Sequence, residues 1–350
     1  MPDFGRSSRT LSIGSDQLIL ETGEVARQAD GSVIVRQGRA AILVSAVSAA
    51  SPREGIDFFP LTVDYRELFG AAGLIPHSYN RREGRLSDHE VLSSRIIDRS
   101  LRPLFPKGYR NETQIIATLL SADDDVDTDV LGLLGACAAI HLSPVPFNGP
   151  AAGLRLCRID NRFLVNPRRS HRVAADMDLV IAAGRDGLVM MEGHCREAGE
   201  RDLLKALEAA RTEISRILDT LDEWRLALGI RTREFESPVF PEEILAKSAE
   251  WLGDQLRTAL SHPAKQTRHD AVKHLKQAFL SAFESADDPT AAHQFAEAFD
   301  ILKKQTVRNR IFDEGIRLDT RGPGDVRPIS GAVDWVPTPH GSALFTRGET

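Results

Sequence analysis

The chain has 350 residues, 42% of them hydrophobic and 27% charged, with a formal net charge of −6. That size allows two or three domains with buried cores, and the acidic balance excludes a bulk polyanion binder. Any nucleic-acid contact must come from positive charge focused locally. Three cysteines, Cys137, Cys157 and Cys195, lie far apart without CxxC spacing. They read as reduced thiols of a cytosolic protein, not as a disulfide framework. No apolar run reaches membrane-spanning length, since the longest, 130–142, is interrupted by Gly132, Gly135 and His141. Residues 1–10 carry no apolar signal core, so secretion is not expected.

From residue 11 to about 189 the pattern is strand-rich. Short β-branched runs at 32–37, 41–47, 114–119 and 179–183 are punctuated by Gly, Pro and Asn. Runs at 154–159 and 163–165 flank Asp160-Asn161, which reads as a tight hairpin turn. Ser87 with Glu90 three residues later forms a capping-box pattern that starts a helix at Asp88, and Pro103 ends it. A second helix is expected at 129–142, capped by Thr128 or Asp127. On the first helix Arg95, Arg99 and Arg102 fall at i, i+4 and i+7, a cationic stripe roughly 10 Å long, while Leu92, Ile96, Ile97 and Leu101 point elsewhere. Just upstream lies Arg81-Arg82-Glu83-Gly84-Arg85. The stripe's reach suits successive phosphates of one nucleic-acid strand, but it also suits a solvated face partly neutralised by Asp88 and Asp98. Spacing alone leaves both readings open.

A long helix is predicted at 197–228, with Leu203, Leu207, Ala210, Ile214, Ile217, Leu221 and Trp224 on one face and Gly229 at its end. The mixture reads as an α+β domain with helices packed on sheets. Composition changes at 236–238. From 241 to about 315 the pattern is helical, with breaks near 261–263 and 287–289, which predicts three helices. Strand signals return afterwards. Gly341-Ser342 followed by Gly348 repeats the spacing of Gly31-Ser32 and Gly38, a hint of internal duplication. The second copy stops at Thr350 just after it starts, so the sequence reads as cut short. The expected division is 1–235, 236–315 and 316–350.

Several motifs carry a resemblance. Asp57-Phe58-Phe59-Pro60-Leu61-Thr62-Val63, Ala71-Ala72-Gly73, Arg81-Arg82-Glu83-Gly84-Arg85, Ile97-Asp98-Arg99, Arg102-Pro103-Leu104-Phe105-Pro106 and Pro146-Phe147-Asn148-Gly149-Pro150 occur in that order. Together they resemble the bacterial polynucleotide phosphorylases, and His340-Gly341-Ser342-Ala343-Leu344-Phe345-Thr346-Arg347-Gly348 looks like the opening of that family's second module. The resemblance implies a ribonuclease PH-like module (ribosomal protein S5 domain 2-like), a small all-α domain and the first strand of a second such module, with KH and S1 domains beyond. It also implies cytoplasmic homotrimers that thread single-stranded RNA and are open to RNA-degradation partners. The implied chemistry is phosphorolysis of RNA from its 3′ end to nucleoside diphosphates, with inorganic phosphate as co-substrate and Mg²⁺.

Residue by residue, the resemblance assigns RNA contacts to Tyr79, Arg81, Arg82, Arg85, Arg95, Arg99 and Arg102. Asn80 departs from the family's aromatic pair, so only Tyr79 is left to stack on a base. The catalytic groups are expected beyond Thr350. Where active modules carry a serine-rich phosphate turn, this chain has Asp127-Thr128-Asp129. Asp176 and Asp178 are the candidates for Mg²⁺, but Val180 stands where active modules have Lys and Arg172 where they have an acid. The first module therefore reads as catalytically dead, with a binding role. Thr320 replaces a glycine in the Arg317–Arg321 lead-in, which puts a tight turn there in doubt. Isolated histidines such as His141 and His194 read as packing or surface residues. Two alternatives remain, a non-catalytic RNA-binding or assembly fragment and a stand-alone ribonuclease PH-type enzyme. The second is disfavoured by the helical linker and by the missing Lys and acid.

Overall fold

The computed structural model describes residues 5–14, 16–75, 84–283 and 289–350. Its contacts divide it into two units, Met1–Pro238 and Val239–Thr350.

The first unit is built on two sheets. Strands β1 (Ser7–Ile13), β2 (Asp16–Thr22), β3 (Gly31–Gln37), β4 (Ala40–Ser48), β5 (Leu61–Glu67) and β6 (Thr113–Ser121) form a sheet in the order β1-β2-β3-β4-β6-β5. All neighbours are antiparallel except β5 and β6, which run parallel with helix α1 (Asp88–Leu101) in the connection between them. Strands β7 (Ala151–Ile159), β8 (Arg162–Val165), β9 (Met177–Gly184) and β10 (Gly187–Cys195) make the second sheet, ordered β10-β9-β7-β8. The β7–β8 turn has positive φ at both Asp160 and Asn161, as a two-residue hairpin of this chemistry requires.

Helix α2 (Thr128–His141) packs on both sheets, and all 14 of its residues are buried. That placement explains why its sequence is apolar all round instead of striped. Close approach is secured by glycine: a Cβ at Gly135 would stand 2.6 Å from Val44 Cγ2, and one at Gly153 on β7 would stand 2.1 Å from Leu133 Cδ2. Helix α3 (Arg169–Arg172) is a single turn. Helix α4 (Glu200–Ala227) starts three residues later than its periodicity suggested, after Gly199, and buries Ala210, Ile214, Ile217, Leu221 and Trp224.

Among the described residues the second unit holds four helices, α5 (Glu242–Leu252), α6 (Gln255–Leu260), α7 (Lys265–Ala282) and α8 (Pro289–Glu314), where the sequence suggested three. The extra break comes at Gly253, whose φ of 40° cannot continue a helix although the apolar period runs through it. The core is small and aromatic. Phe279 and Phe299 are fully buried, and Phe283 stacks on Phe295 with ring centroids 4.2 Å apart. Strands β11 (Ile329–Val333) and β12 (Ala343–Arg347) pair antiparallel, with Val333 and Phe345 exposed.

The turn doubted at Thr320 is made. Arg317 N–H donates to Arg321 O at 2.8 Å, Thr320 N–H donates to Arg317 O at 2.9 Å, and Thr320 sits at φ 68°. A β-branched residue is strained in that left-handed region. Thr320→Gly is therefore expected to stabilise the second unit by roughly 1 kcal/mol in urea denaturation. A loss of stability would show that the threonine hydroxyl, bonded to Asp319 O at 2.6 Å, matters more than the backbone strain.

Candidate nucleic-acid interface and a closed carboxylate cluster

Helix α1 begins with the capping box expected from sequence. Ser87 Oγ accepts from Glu90 N–H at 3.2 Å, and Glu90 Oε2 accepts from Ser87 N–H at 2.7 Å. Ile96, Ile97 and Leu101 are buried, but Leu92 lies on the open side and is half exposed. The inward stripe is thus narrower than the list of apolar residues implied.

The arginines on α1 and at its two ends are exposed but differ in what they are free to do; Arg102 is the C-cap, one residue past the helix. Arg102 grips Asp98 in a fork (Nε–Oδ2 3.0 Å, Nη2–Oδ1 2.6 Å) and donates to the carbonyls of Phe59 and Leu61, each at 3.1 Å. Its guanidinium also lies 5.7 Å from the Phe59 ring centroid. Nearly all of its donors are spent on holding the helix end to the start of β5. Arg99 pairs with Glu192 on β10 in an exposed contact. Arg95 and Arg85 are exposed and have no hydrogen-bond or ion-pair partner among the described residues. Tyr79, Asn80, Arg81 and Arg82 lie outside the described residues.

Glu67, at the end of β5, knits α1 to α2. It accepts from Tyr65 OH (2.7 Å) and Thr128 Oγ1 (3.0 Å) and lies 3.3 Å from His89 Nε2. Burial pushes the Glu67 carboxyl up, but the hydrogen bonds from His89, Tyr65 and Thr128 outweigh it and bring the pKa to about 2. The hydrogen bond to Glu67 holds His89 above its ordinary value. Glu67's contribution is therefore present above pH 4.5 and lost as pH falls towards 2, while His89's is present below pH 6.5 and lost as pH rises through its raised pKa. Between pH 6 and pH 9 the wild type should lose about 0.5 kcal/mol more stability than His89→Gln, a small effect because the pair is partly solvated. Equal pH profiles from urea denaturation would remove His89 from this account.

The two carboxylates suspected of binding metal are committed to arginines. Arg155, from β7, reaches Asp178 and both aspartates of the Asp127-Thr128-Asp129 turn: Nη1 to Asp178 Oδ1 at 2.7 Å, Nη2 to Asp129 Oδ2 at 2.8 Å, and Nε within 2.9 Å of Asp127 Oδ2. The last contact lacks hydrogen-bond geometry and is electrostatic. Arg172 closes the set, with Nη1 2.6 Å from Asp127 Oδ1 and Nε 3.1 Å from Asp178 Oδ2. The Arg155 side chain is 11% exposed, and its three partners are 8–10% exposed. Burial works against the Arg155 charge, but the surrounding aspartates hold its pKa above the ordinary value. Asp176 is forked by Arg158 at 2.8 and 2.9 Å.

The same pull overturns the expected cap on α2. Asp127 stands at the N-cap position but makes no capping bond, because its oxygens face Arg155 and Arg172; the Thr128 hydroxyl goes to Glu67. Among the described residues, no group of three or more His, Cys, Asp or Glu is placed to hold a metal ion. Asp176 and Asp178 do not fit Mg²⁺, since guanidinium groups already occupy their coordinating oxygens. Sequence reasoning noticed Arg172 as a replaced acid but missed Arg155. The available signal was a pair of arginines, Arg155 and Arg158, inside the otherwise apolar run 154–159.

His141 is buried with Nε2 3.1 Å from Asp222 Oδ1, and burial first, then Arg225, lowers its pKa to about 4. His194 is exposed. Cys137 and Cys157 are buried free thiols.

Against this geometry, three family models match in order. Residues 17–146 match domain 1 of the 3′ exoribonuclease family, 149–213 match its domain 2, and 243–322 match the RNA binding domain of polyribonucleotide nucleotidyltransferase. The chain belongs to the polyribonucleotide nucleotidyltransferase branch of the 3′ exoribonuclease family. A polyribonucleotide nucleotidyltransferase of Anaeromyxobacter dehalogenans is 44% identical over 98% of this chain and 49% of its own length. Those of Thermomicrobium roseum and Sulfurihydrogenibium azorense are each 42% identical, over 98% and 95% of this chain. The chain spans about half the length of the curated relatives it matches. A crystal structure of rice Rrp46 overlaps 63% of the chain at 14% identity with a TM-score of 0.47, too slight a likeness to add to this. Within the described residues no helix is long and apolar enough to cross a membrane.

Proposed function

We propose that this chain is the RNA-gripping part of a phosphorolytic 3′-to-5′ exoribonuclease that degrades single-stranded RNA to nucleoside diphosphates and can run in reverse. The supporting observation is the Arg155–Arg172–aspartate cluster. In-line attack of phosphate on an RNA phosphodiester needs a bound nucleophile and neutralised charge at phosphorus. A centre whose carboxylates are saturated by arginine offers room for neither phosphate nor Mg²⁺. The chemistry, with phosphate as co-substrate and Mg²⁺, is assigned to a second module outside this chain.

What this chain's own residues contribute is purchase on the strand. Arg85 and Arg95 have unspent donors for successive phosphates, and Arg99 joins them by exchanging Glu192 for a phosphate. Arg81, Arg82 and Tyr79 are assigned to the same path. Phosphate contacts hold and thread a strand without reading its sequence, which suits a processive nuclease. The strands β3 and β12 support the reading of 316–350 as the start of a second module. Gly38 and Gly348 both take positive φ, and the Ser32 and Ser342 hydroxyls donate to Val25 O (2.9 Å) and Val336 O (3.2 Å). The proposed assembly is a cytoplasmic homotrimer, open to partners in RNA degradation.

Salt titration of poly(A) binding tests the gripping role. Affinity should fall linearly in log–log form with a slope of about −0.7 per phosphate contacted. No binding at low salt would contradict it.

A further inference from the structure

The first unit holds a cavity of about 640 Å³ that shares no residue with α1 or with the Arg155 cluster. Its walls are the β2–β3 loop, the end of α2 and the segment after α4. All three are tied in place. The loop turns through Ala26 at φ 52°, with Ala29 N–H donating to Ala26 O at 2.9 Å. Arg225 donates to the carbonyls of His141 and Ser143 and to Thr232 Oγ1. Arg233 N–H donates to Pro144 O at 2.7 Å, while its guanidinium pairs with Asp30 and reaches Ser48 O. The cavity is therefore preformed, and its volume lies in the range of small-molecule sites.

Its lining combines an apolar wall with surplus positive charge. Val25, Ala29, Leu142, Pro144 and Ile230 supply the wall. Three arginines face one aspartate, and Asp30 is already paired with Arg233. Arg27 and Arg231 are exposed and have no carboxylate partner among the described residues; Arg27 Nε donates only to Gly23 O at 3.2 Å. Two uncompensated guanidinium groups at a concave apolar site, in a chain of net charge −6, focus potential for an anion that also has an apolar body.

We propose that this cavity binds a small organic anion of the nucleotide class, with the base against the apolar wall and the phosphates at Arg27 and Arg231. The choice of a nucleoside diphosphate as probe rests on the proposed product; the cavity itself does not depend on it.

Calorimetric titration with ADP, adenosine and inorganic phosphate tests the proposal, on the wild type, Arg27→Ala/Arg231→Ala and the cavity-filling Ala29→Phe. ADP should bind more tightly than either adenosine or phosphate. The double variant should weaken ADP at least about tenfold, and Ala29→Phe, with an unchanged melting temperature, should abolish binding. The double variant alters only exposed side chains, so it keeps the test decisive if Ala29→Phe fails to fold. Absence of ADP binding, ADP affinity unaffected by Arg27→Ala/Arg231→Ala, or phosphate binding as tightly as ADP would overturn the proposal. Poly(A) affinity measured on the same samples separates the two readings. Retained RNA binding without ADP binding sinks the cavity alone, and the reverse sinks the RNA-gripping role alone.

Discussion

Arg155→Met should cost the first unit about 3–5 kcal/mol of folding free energy, because it leaves three nearly buried aspartates facing one another with only Arg172 and the more distant, half-exposed Arg169 (3.6 Å from Asp127) to neutralise them. Those aspartates come from the turn before α2, from α2 itself and from β9, so the cluster fixes the end of the central helix against both neighbouring strands. Arg155→Lys should recover only part of the loss. An ammonium is a single point charge on a flexible stem and cannot reach three carboxylates with the fixed fork of a guanidinium. Urea denaturation of both variants checks this. A loss below 1 kcal/mol for Arg155→Met would mean that the cluster is solvated and open, and the case for a closed centre would fall with it.

The arginines on α1 and at its two ends should separate by function. Arg85→Ala/Arg95→Ala removes two uncommitted cations. It should reduce the magnitude of the salt slope for poly(A) binding by about 1.4 and leave the melting temperature unchanged. Arg102→Ala should do the opposite. It breaks the fork to Asp98 and two bonds to the carbonyls of Phe59, just before β5, and Leu61, its first residue, costing roughly 1–3 kcal/mol of stability while leaving the salt slope as it was. If Arg102→Ala lowers the slope and Arg95 does not, the assignment of the stripe is inverted.

The reason for this division marks the limit of what sequence could reveal. The capping box, the α1 boundaries and the all-apolar α2 were legible because each is set by residues within a few positions of one another. The Arg102–Asp98 fork was legible in principle too, as an i,i+4 pair. The Arg99–Glu192 pair spans 93 positions and follows only from the packing of α1 beside β10. The Arg155 cluster draws on four stretches of chain, and nothing local in any of them announces a shared centre. Asp127 shows how such long-range pairing wins, since an N-cap bond is worth about 1 kcal/mol and two guanidinium contacts outweigh it. The break at Gly253 was hidden for a different reason: the apolar period continues through it, and only the backbone conformation stops the helix.

The central claim is a division of labour, in which this chain holds RNA and the chemistry lies elsewhere. The most direct measurement is phosphate-dependent release of nucleoside diphosphate from poly(A) by this chain in the presence of Mg²⁺, run beside RNA binding in the same buffer. The account predicts salt-sensitive binding with no diphosphate release. Release that depends on phosphate and disappears in Asp178→Asn would contradict it, by showing that the arginine-filled centre is a working active site.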